Sequence, residues 1–279
     1  MTRSIKAVIF DMGGVLVRCM RPEVRAELGK PYGLTRERLE SVVFGNPVAA
    51  LASVGKASDG ALWEHIRGTV GVAPEDLVAF RETFWSADDV DDELVKVIKA
   101  LRKMYKTALL SNAWLDAREA LTTKYPHLME SFDVSIFSAE VGLVKPDPAM
   151  YNLILGKLGV AAHEAVFVDD FVENIVGAEQ LGLHAIRFVS AQQAMADLRA
   201  ASVSIVSPEG KDAWSGSFRL TPATRHASAR RSSATRPASP APRTRSAAPI
   251  RRPSSPRSAA ARSVRVPCPV RVGRRGRLG

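Results

Sequence analysis

The chain is poor in cysteine and has no long apolar run. Its two cysteines, Cys19 and Cys268, lie in regions of very different composition, so we expect no disulfide framework. No apolar stretch approaches the roughly 20 residues that a bilayer span needs. The first residues also lack the apolar stretch and cleavage site of a signal peptide. We therefore expect a cytoplasmic protein with no membrane contact.

The end of the chain lacks lysine, acidic residues and aromatic residues altogether. Residues 221–279 hold 15 Arg and 9 of the 17 Pro of the chain. Because this composition cannot build a core, we predict that residues 206–279 are a disordered Arg/Pro/Ser/Ala-rich tail. Such a basic arm would contact nucleic acid only through phosphates. The abrupt loss of lysine also fits a frameshifted reading of GC-rich DNA.

The basic charge of the chain belongs to this tail. The net charge is +10 for the whole chain, but residues 1–220 hold 24 basic and 29 acidic residues, a net charge of −5. We therefore draw no conclusion about a functional site from the total charge. About 205 residues remain outside the tail, which suits one α/β core with a small insertion.

Short apolar strands alternate with helical segments along most of the chain. This alternation is typical of a parallel sheet with right-handed crossovers. We predict an α/β fold, a doubly wound (Rossmann-like) parallel sheet with a small helical cap inserted after strand 1. The core would comprise residues 1–18 and 91–205, and the cap residues 19–90. The predicted strands are Ala7–Phe10, Thr107–Leu110, Val134–Phe137, Ala165–Val168 and Ala185–Val189.

Residues 20 to about 100 show no clear strand pattern and contain several short helical segments. Thr35 and Ser58 or Asp59 are suited to begin two of them as N-terminal caps. The region is rich in aromatic residues at helical spacing, which we interpret as packing inside the cap rather than as a substrate platform. These residues are Trp63, Phe80, Phe84 and Trp85.

Polar side chains follow the predicted strands where each one ends. Asp11, Ser111 and the pair Asp169-Asp170 come directly after buried strands, and Lys145 lies in a loop. Ligands of open α/β sheets bind outside the carboxyl ends of the strands, so these groups would share one pocket. A carboxylate nucleophile, a Mg²⁺ held by carboxylates, an ammonium and a hydroxyl are the groups that phosphoryl transfer requires. Taken singly, each could be a helix cap or a solvated loop residue.

The order of these residues resembles the four motifs of the haloacid dehalogenase-like hydrolase superfamily. The similarity covers about residues 5–200. The sequence around the motifs resembles the subgroup that contains the N-terminal phosphatase domain of soluble epoxide hydrolase. The resemblance implies a hydrolase of small phosphate monoesters with Mg²⁺ as cofactor. The motifs are Asp11-Met-Gly-Gly-Val, Leu110-Ser111-Asn112, Lys145-Pro146 and Val168-Asp169-Asp170.

The resemblance also implies the catalytic residues. Asp11 would be the nucleophile, and Lys145 would neutralise charge on Asp11 and on the phosphoryl oxygens. Asp169 would act as an acid that does not contact the metal directly, or it would bind the metal through water. Asn174, four residues after Asp170, would orient this loop.

Substrate and metal ligands follow in the same way. Ser111 and Asn112 would bind the phosphoryl group together with Lys145. The Mg²⁺ would be held by Asp11, by Asp170 and by the backbone carbonyl of Gly13. The expected partner is a small phosphorylated metabolite, and a homodimer is left open.

One residue departs from the family pattern. Members usually carry a second Asp two residues after the nucleophile as general acid and base, and this chain has Gly13 there. Such a group is typically worth about 10²–10⁴ in rate. Three hypotheses stay open: a metal-dependent phosphatase, a 2-haloacid dehalogenase in which Asp11 attacks carbon, and a weakly catalytic phosphate-binding or regulatory module.

Overall fold

A five-stranded parallel sheet forms the centre of the protein, as predicted. The computed structural model describes residues 4–205, and the strand order is β5-β4-β1-β6-β7. The tail predicted for residues 206–279 lies outside the described residues, as does Cys268. The five strands are β1 (Ala7–Phe10), β4 (Lys106–Ser111), β5 (Val134–Phe137), β6 (Ala165–Asp169) and β7 (His184–Arg187).

Helices cover both faces of the sheet, and β1 and β6 are buried along their whole length. This double cover explains why the strands are apolar without alternation. One face packs against α6 (Asp92–Leu101), α7 (Ala117–Lys124), α8 (Pro126–Met129) and α12 (Ala191–Ala200). The other packs against α10 (Pro148–Leu158) and α11 (Val172–Gln180), and α9 (Ser138–Val141) follows β5 directly.

The insertion after the first strand is helical and has its own apolar core. Thr35, Asn46 and Ser58 each accept a hydrogen bond from a backbone N–H at the start of a cap helix. The aromatic residues predicted to pack inside the cap do so, with Trp63, Phe80 and Phe84 almost fully buried. The cap helices are α1 (Pro22–Gly29), α2 (Arg36–Phe44), α3 (Pro47–Ser53), α4 (Asp59–Val70) and α5 (Leu77–Ser86).

A two-stranded connection that the sequence pattern did not indicate joins the cap to the core. β2 (Val17–Cys19) pairs antiparallel with β3 (Asp88–Val90). The prediction that residues 20–100 hold no strand is therefore wrong at β3. Three residues are too few to show a strand periodicity, and Asp-Asp-Val has low strand propensity. The pairing places the ends of the cap side by side.

Some predicted boundaries also differ from the structure. β7 begins one residue earlier than predicted, at His184. It ends at Arg187 rather than Val189, since Val189 is 73% exposed and its N–H donates to the Gln193 side chain. The helix α6 ends at Leu101, and turns over residues 102–104 lead towards β4. In residues 4–205 no helix is long and apolar enough to cross a membrane.

Candidate active site

The sheet places the Asp11 carboxylate beside that of Asp169. The register pairs Phe10 with Val168, so the next residues of β1 and β6 lie side by side. The Asp11 backbone N–H continues the ladder by donating to the Val168 carbonyl at 2.8 Å. Since β1 lies between β4 and β6, where the chain reverses its direction of winding, this edge is the expected ligand site.

Lys145 joins the two carboxylates. Its Nζ donates to Asp11 Oδ1 at 2.6 Å and to Asp169 Oδ2 at 2.7 Å, and its side chain is 1% exposed. A buried ammonium is stable only when it is paired in this way. The structure therefore brings together Asp11, Lys145 and Asp169, which are separated by up to 158 positions in the sequence.

Asn112 fixes the loop that carries Lys145. Its Nδ2 donates to the Lys145 carbonyl at 2.9 Å, and its Oδ1 accepts from the Lys145 N–H at 2.8 Å. Both polar atoms of the side chain are thus engaged with backbone. The side chain of Asn112 acts on the position of Lys145, while the substrate-binding role assigned to it remains a prediction.

Asp169 is fully buried, and hydrogen bonds surround its carboxylate. Asn174 Nδ2 lies 3.0 Å from both oxygens, and the Phe171 N–H donates to Oδ1 at 2.8 Å. With Lys145 on Oδ2, the carboxylate has partners on both oxygens. This arrangement holds Asp169 as a rigid partner for Lys145, and Asn174 ties the first turn of α11 to Asp169. The role that the resemblance implies for Asn174, to orient this loop, stays a prediction.

The burial and the hydrogen bonding of Asp170 differ from those of Asp169. It is half-buried, and its Oδ1 atom is buried without a hydrogen-bond partner within residues 4–205. Burial, followed by the nearby Asp169 charge, raises the pKa of Asp170 above its ordinary value. A desolvated carboxylate oxygen without a partner is costly, so Asp170 is suited to a positively charged ligand.

Three carboxylates meet at this point. One oxygen each of Asp11, Asp169 and Asp170 lies within 4.8 Å of the others. Lys145 pairs with Asp11 and Asp169, and the charge of Arg187 also acts on Asp170. Burial raises the pKa of Asp11 to about 7, although Lys145 lowers it and Asp169 raises it further. Oxygen donors with excess negative charge are what Mg²⁺ requires, so the residues fit this ion.

The two glycines after Asp11 have different surroundings. Gly14 has a φ of +79°, and a Cβ built there would lie 2.6 Å from Asp170 Cγ. Only glycine lets the Asp170 carboxylate approach the backbone this closely. A Cβ built on Gly13 would meet no atom within 4 Å. Its side-chain position is open space, and its predicted carbonyl contact with Mg²⁺ remains a prediction.

Ser111 ends β4 next to β1 and is 1% exposed. Its placement at the same edge as Asp11 agrees with the sequence-based grouping, and its contact with a phosphoryl group remains a prediction.

Two positioning residues were missed. The Ser138 hydroxyl donates to the Ala113 carbonyl and accepts from its N–H, which holds the loop after Ser111. Only the sequence position of Ser138, after β5, hinted at this.

Gly177 is the second missed residue. A Cβ on Gly177 would lie 2.8 Å from Pro146 Cβ, so the absence of a side chain lets α11 pack against the Lys145 loop. A glycine inside an otherwise helical pattern signals such close packing. The loop of Lys145 is thus held from one side by Asn112 and from the other by α11.

Comparisons with known proteins agree with this arrangement. A model of the haloacid dehalogenase-like hydrolase family matches residues 5–182. The chain is 32% identical over 117 residues to bifunctional epoxide hydrolase 2 of Mus musculus, which is 40% of this chain and 21% of that protein. It thus spans about a fifth of that relative. It is 30% identical over 218 residues to a phosphorylated carbohydrates phosphatase of Thermotoga maritima, covering 74% of this chain and 95% of that one.

Solved structures show the same fold. A HAD family enzyme of Bacteroides thetaiotaomicron, in complex with magnesium and inorganic phosphate, superposes with a TM-score of 0.56 at 21% identity, covering 67% of this chain and 96% of that one. An L-2-haloacid dehalogenase of Xanthobacter autotrophicus superposes with a TM-score of 0.52 at 26% identity, covering 74% of this chain and 86% of that one. The fold alone therefore admits more than one chemistry.

Proposed function

The chain belongs to the haloacid dehalogenase-like hydrolase family, and within it we propose a Mg²⁺-dependent phosphatase of small phosphate monoesters that acts through an aspartyl-phosphate on Asp11. The family assignment made from the motifs is confirmed by the family match. The observation that carries the finer proposal is the buried Asp170 oxygen without a partner, next to Asp11 and Asp169.

Each residue has a distinct part in the proposed reaction. Asp11 attacks phosphorus, the bond to the leaving oxygen breaks, and water later releases phosphate from the carboxylate. Lys145 holds one oxygen of Asp11 at 2.6 Å and thereby fixes the orientation of the nucleophile. Ser111, at the end of the neighbouring strand, would donate to a phosphoryl oxygen.

The carboxylates provide the metal site. Asp11, Asp170 and the Gly13 carbonyl would hold the ion, and Asp169, which is bonded to Lys145, would act as an acid without touching the ion or would bind it through water. When bound, Mg²⁺ supplies positive charge that offsets the repulsion between phosphate and carboxylate. The small phosphorylated metabolite expected as substrate belongs to this proposal as well.

A dehalogenase is the second candidate, because the fold also matches an L-2-haloacid dehalogenase. In that reaction Asp11 would attack carbon, and no metal would be needed. Asp170, whose buried oxygen has no hydrogen-bond partner among residues 4–205, would then have no role. The geometry therefore favours the phosphatase.

The test is phosphate release from p-nitrophenyl phosphate with Mg²⁺ and with EDTA. We expect turnover that requires the metal and is abolished by Asp11→Asn. Glu93→Gln, which changes an exposed carboxylate on α6, is the matched control and should keep full activity. Release of halide from 2-chloropropionate without phosphate release would replace this proposal with the dehalogenase. Binding of Mg²⁺ and phosphate without either reaction would instead support a binding module.

A further inference from the structure

A groove rich in basic side chains lies at the end of the sheet opposite to the proposed active site. Its volume is about 780 Å³, and it is lined by residues at the amino ends of β1, β4 and β5 and beside the carboxyl ends of α6 and α10. Lys6 precedes β1 and Asp11 follows it. At about 3.3 Å per residue these two residues lie about 16 Å apart. The groove is therefore separate from the carboxylate cluster.

Five of the side chains that line this basic groove carry a positive charge, and one carries a negative charge. Residues 1–220 have a net charge of −5, so the groove concentrates positive charge in a part of the chain that is acidic overall. A concave surface lined by one sign of charge focuses the electrostatic potential and attracts the opposite charge. The positive residues are Lys6, Arg102, Lys103, Lys106 and Lys157, and the negative one is Asp133.

Two of the five cations have a structural role in the fold. Arg102 donates to the Asp133 carboxylate at 2.8 Å and to a backbone carbonyl. Lys106 donates to the carbonyl of Leu158, the last residue of α10. The dipole of a helix favours a positive charge at its carboxyl end. Neither residue needs a ligand to explain its place.

The other three cations are exposed lysines. Lys6 pairs with Glu164 at 2.6 Å, but its side chain remains 57% exposed, and such a surface pair contributes at most about 1 kcal/mol. Lys103 and Lys157 are exposed and have neither an ion pair nor a side-chain hydrogen bond within residues 4–205. The dipole of α10 favours Lys157 in its last turn, yet no acceptor in this part of the chain holds its ammonium. These lysines are available to an anionic partner.

The three lysines fit a chain of phosphates better than one small anion. They come from three separate segments and are exposed, whereas a site for a single anion brings buried donors together at one point. An exposed ammonium holds a phosphate as a point charge without fixed geometry, which suits a polyanion that is bound by its charge.

Tyr105 adds an aromatic side chain to the lining of the groove. It is half-buried, and its hydroxyl accepts a hydrogen bond from the Ser204 N–H at 2.8 Å. A positively charged groove with an aromatic side chain is the combination that binds single strands. A membrane surface does not enter a concave groove. We propose that the basic groove binds single-stranded nucleic acid through its phosphates, without preference for base sequence.

The experiment measures binding of a fluorescein-labelled oligothymidylate of about 20 nucleotides to the full chain by fluorescence anisotropy. The salt concentration is varied between about 50 and 200 mM. Lys103→Glu/Lys157→Glu reverses two charges of the groove. Lys30→Glu/Lys56→Glu makes the same change of net charge at exposed lysines of the cap and is the matched control. Every variant keeps the Arg-rich residues 221–279, so their own attraction for nucleic acid is the same throughout.

We expect the wild type to bind, with the logarithm of its affinity falling linearly with the logarithm of the salt concentration. Each phosphate contact to a single strand contributes about 0.7 to this slope, so Lys103→Glu/Lys157→Glu should lower the slope by about 1.4. Its affinity at about 50 mM salt should fall by about 10–100-fold. The control should keep the slope of the wild type. An oligonucleotide of mixed sequence should give the same results.

A second measurement needs no variant, so it tests the inference even if a charge reversal prevents folding. The wild type is treated with acetic anhydride, with and without the oligothymidylate, and acetylated lysines are located by mass spectrometry. The bound strand should protect Lys103 and Lys157 and leave Lys30 and Lys56 reactive.

Three results would overturn the inference. Equal loss of affinity in the two double variants, or no protection of Lys103 and Lys157, would show that binding depends on total charge or on residues outside the groove. Absence of binding at low salt would rule out a nucleic-acid partner. Binding to vesicles of phosphatidylserine and phosphatidylcholine, without binding to the oligothymidylate, would make the partner a membrane.

Discussion

Substitution by alanine should have very different effects on stability at the two glycines that follow Asp11. Gly14 has a φ of +79°, and its new Cβ would lie 2.6 Å from Asp170 Cγ, whereas Gly13 has open space at this position. A left-handed conformation costs an L-residue about 1–2 kcal/mol. Each kcal/mol lowers the Tm of a domain of this size by about 2–4 °C. Gly14→Ala should therefore lower the Tm by about 2–8 °C, and Gly13→Ala should have a much smaller effect.

Gly14→Ala should also disturb the proposed metal site, because the Asp170 carboxylate must turn away from a Cβ on Gly14. A ligand at about 100 times its Kd stabilises the folded state by about 2.7 kcal/mol. Thermal unfolding followed by circular dichroism, with Mg²⁺ and with EDTA, measures this gain. The Gly13→Ala variant should keep the gain and Gly14→Ala should lose most of it. Full Mg²⁺ stabilisation of Gly14→Ala would refute the assignment of Asp170 as a ligand.

Further predictions concern buried charges and pH. Lys145→Met should destabilise the protein by about 3–5 kcal/mol in urea unfolding without metal, since two buried carboxylates lose their partner. Arg25→Met should lower the free energy of unfolding in urea by about 3 kcal/mol. Arg25 is 4% exposed and donates hydrogen bonds to carboxylates on α2 and β3. Burial raises the pKa of Asp133, but hydrogen bonds from the Thr107 N–H and Arg102 outweigh it and lower the pKa below its ordinary value. The difference in the free energy of unfolding between the wild type and Asp133→Asn, measured by urea unfolding, should be full near pH 7 and should shrink as the pH falls below about 4, the ordinary pKa of an aspartate.

The sequence pattern predicts most of the core because its signals are local. A buried strand such as β6 needs a short apolar run, and β1 and β5 begin and end at the predicted residues. The strand β3 escaped detection, because its strand character comes from pairing with β2 rather than from its own residues. The extent of β7 was wrong for a related reason, since Val189 is apolar but exposed.

The site residues were predicted as a group, while their contacts were not. Polar residues after apolar strands place Asp11 and Asp169 at one edge, since parallel strands end on the same side. Nothing in the local sequence shows that Asn112 uses both its polar atoms on the backbone of Lys145. The close approach of Gly177 to Pro146 is equally invisible, because it depends on the packing of α11.

The sequence by itself determined the family, the order of the strands along the chain and the residue types available for chemistry. It also determined that residue 13 lacks a side chain, because this depends only on the identity of the residue. The tertiary structure alone decided that Lys145 bridges two carboxylates and that one oxygen of Asp170 remains without a partner. These properties depend on distances between atoms far apart in the chain, and folding brings such atoms together at a sheet edge where burial makes every unpaired charge costly.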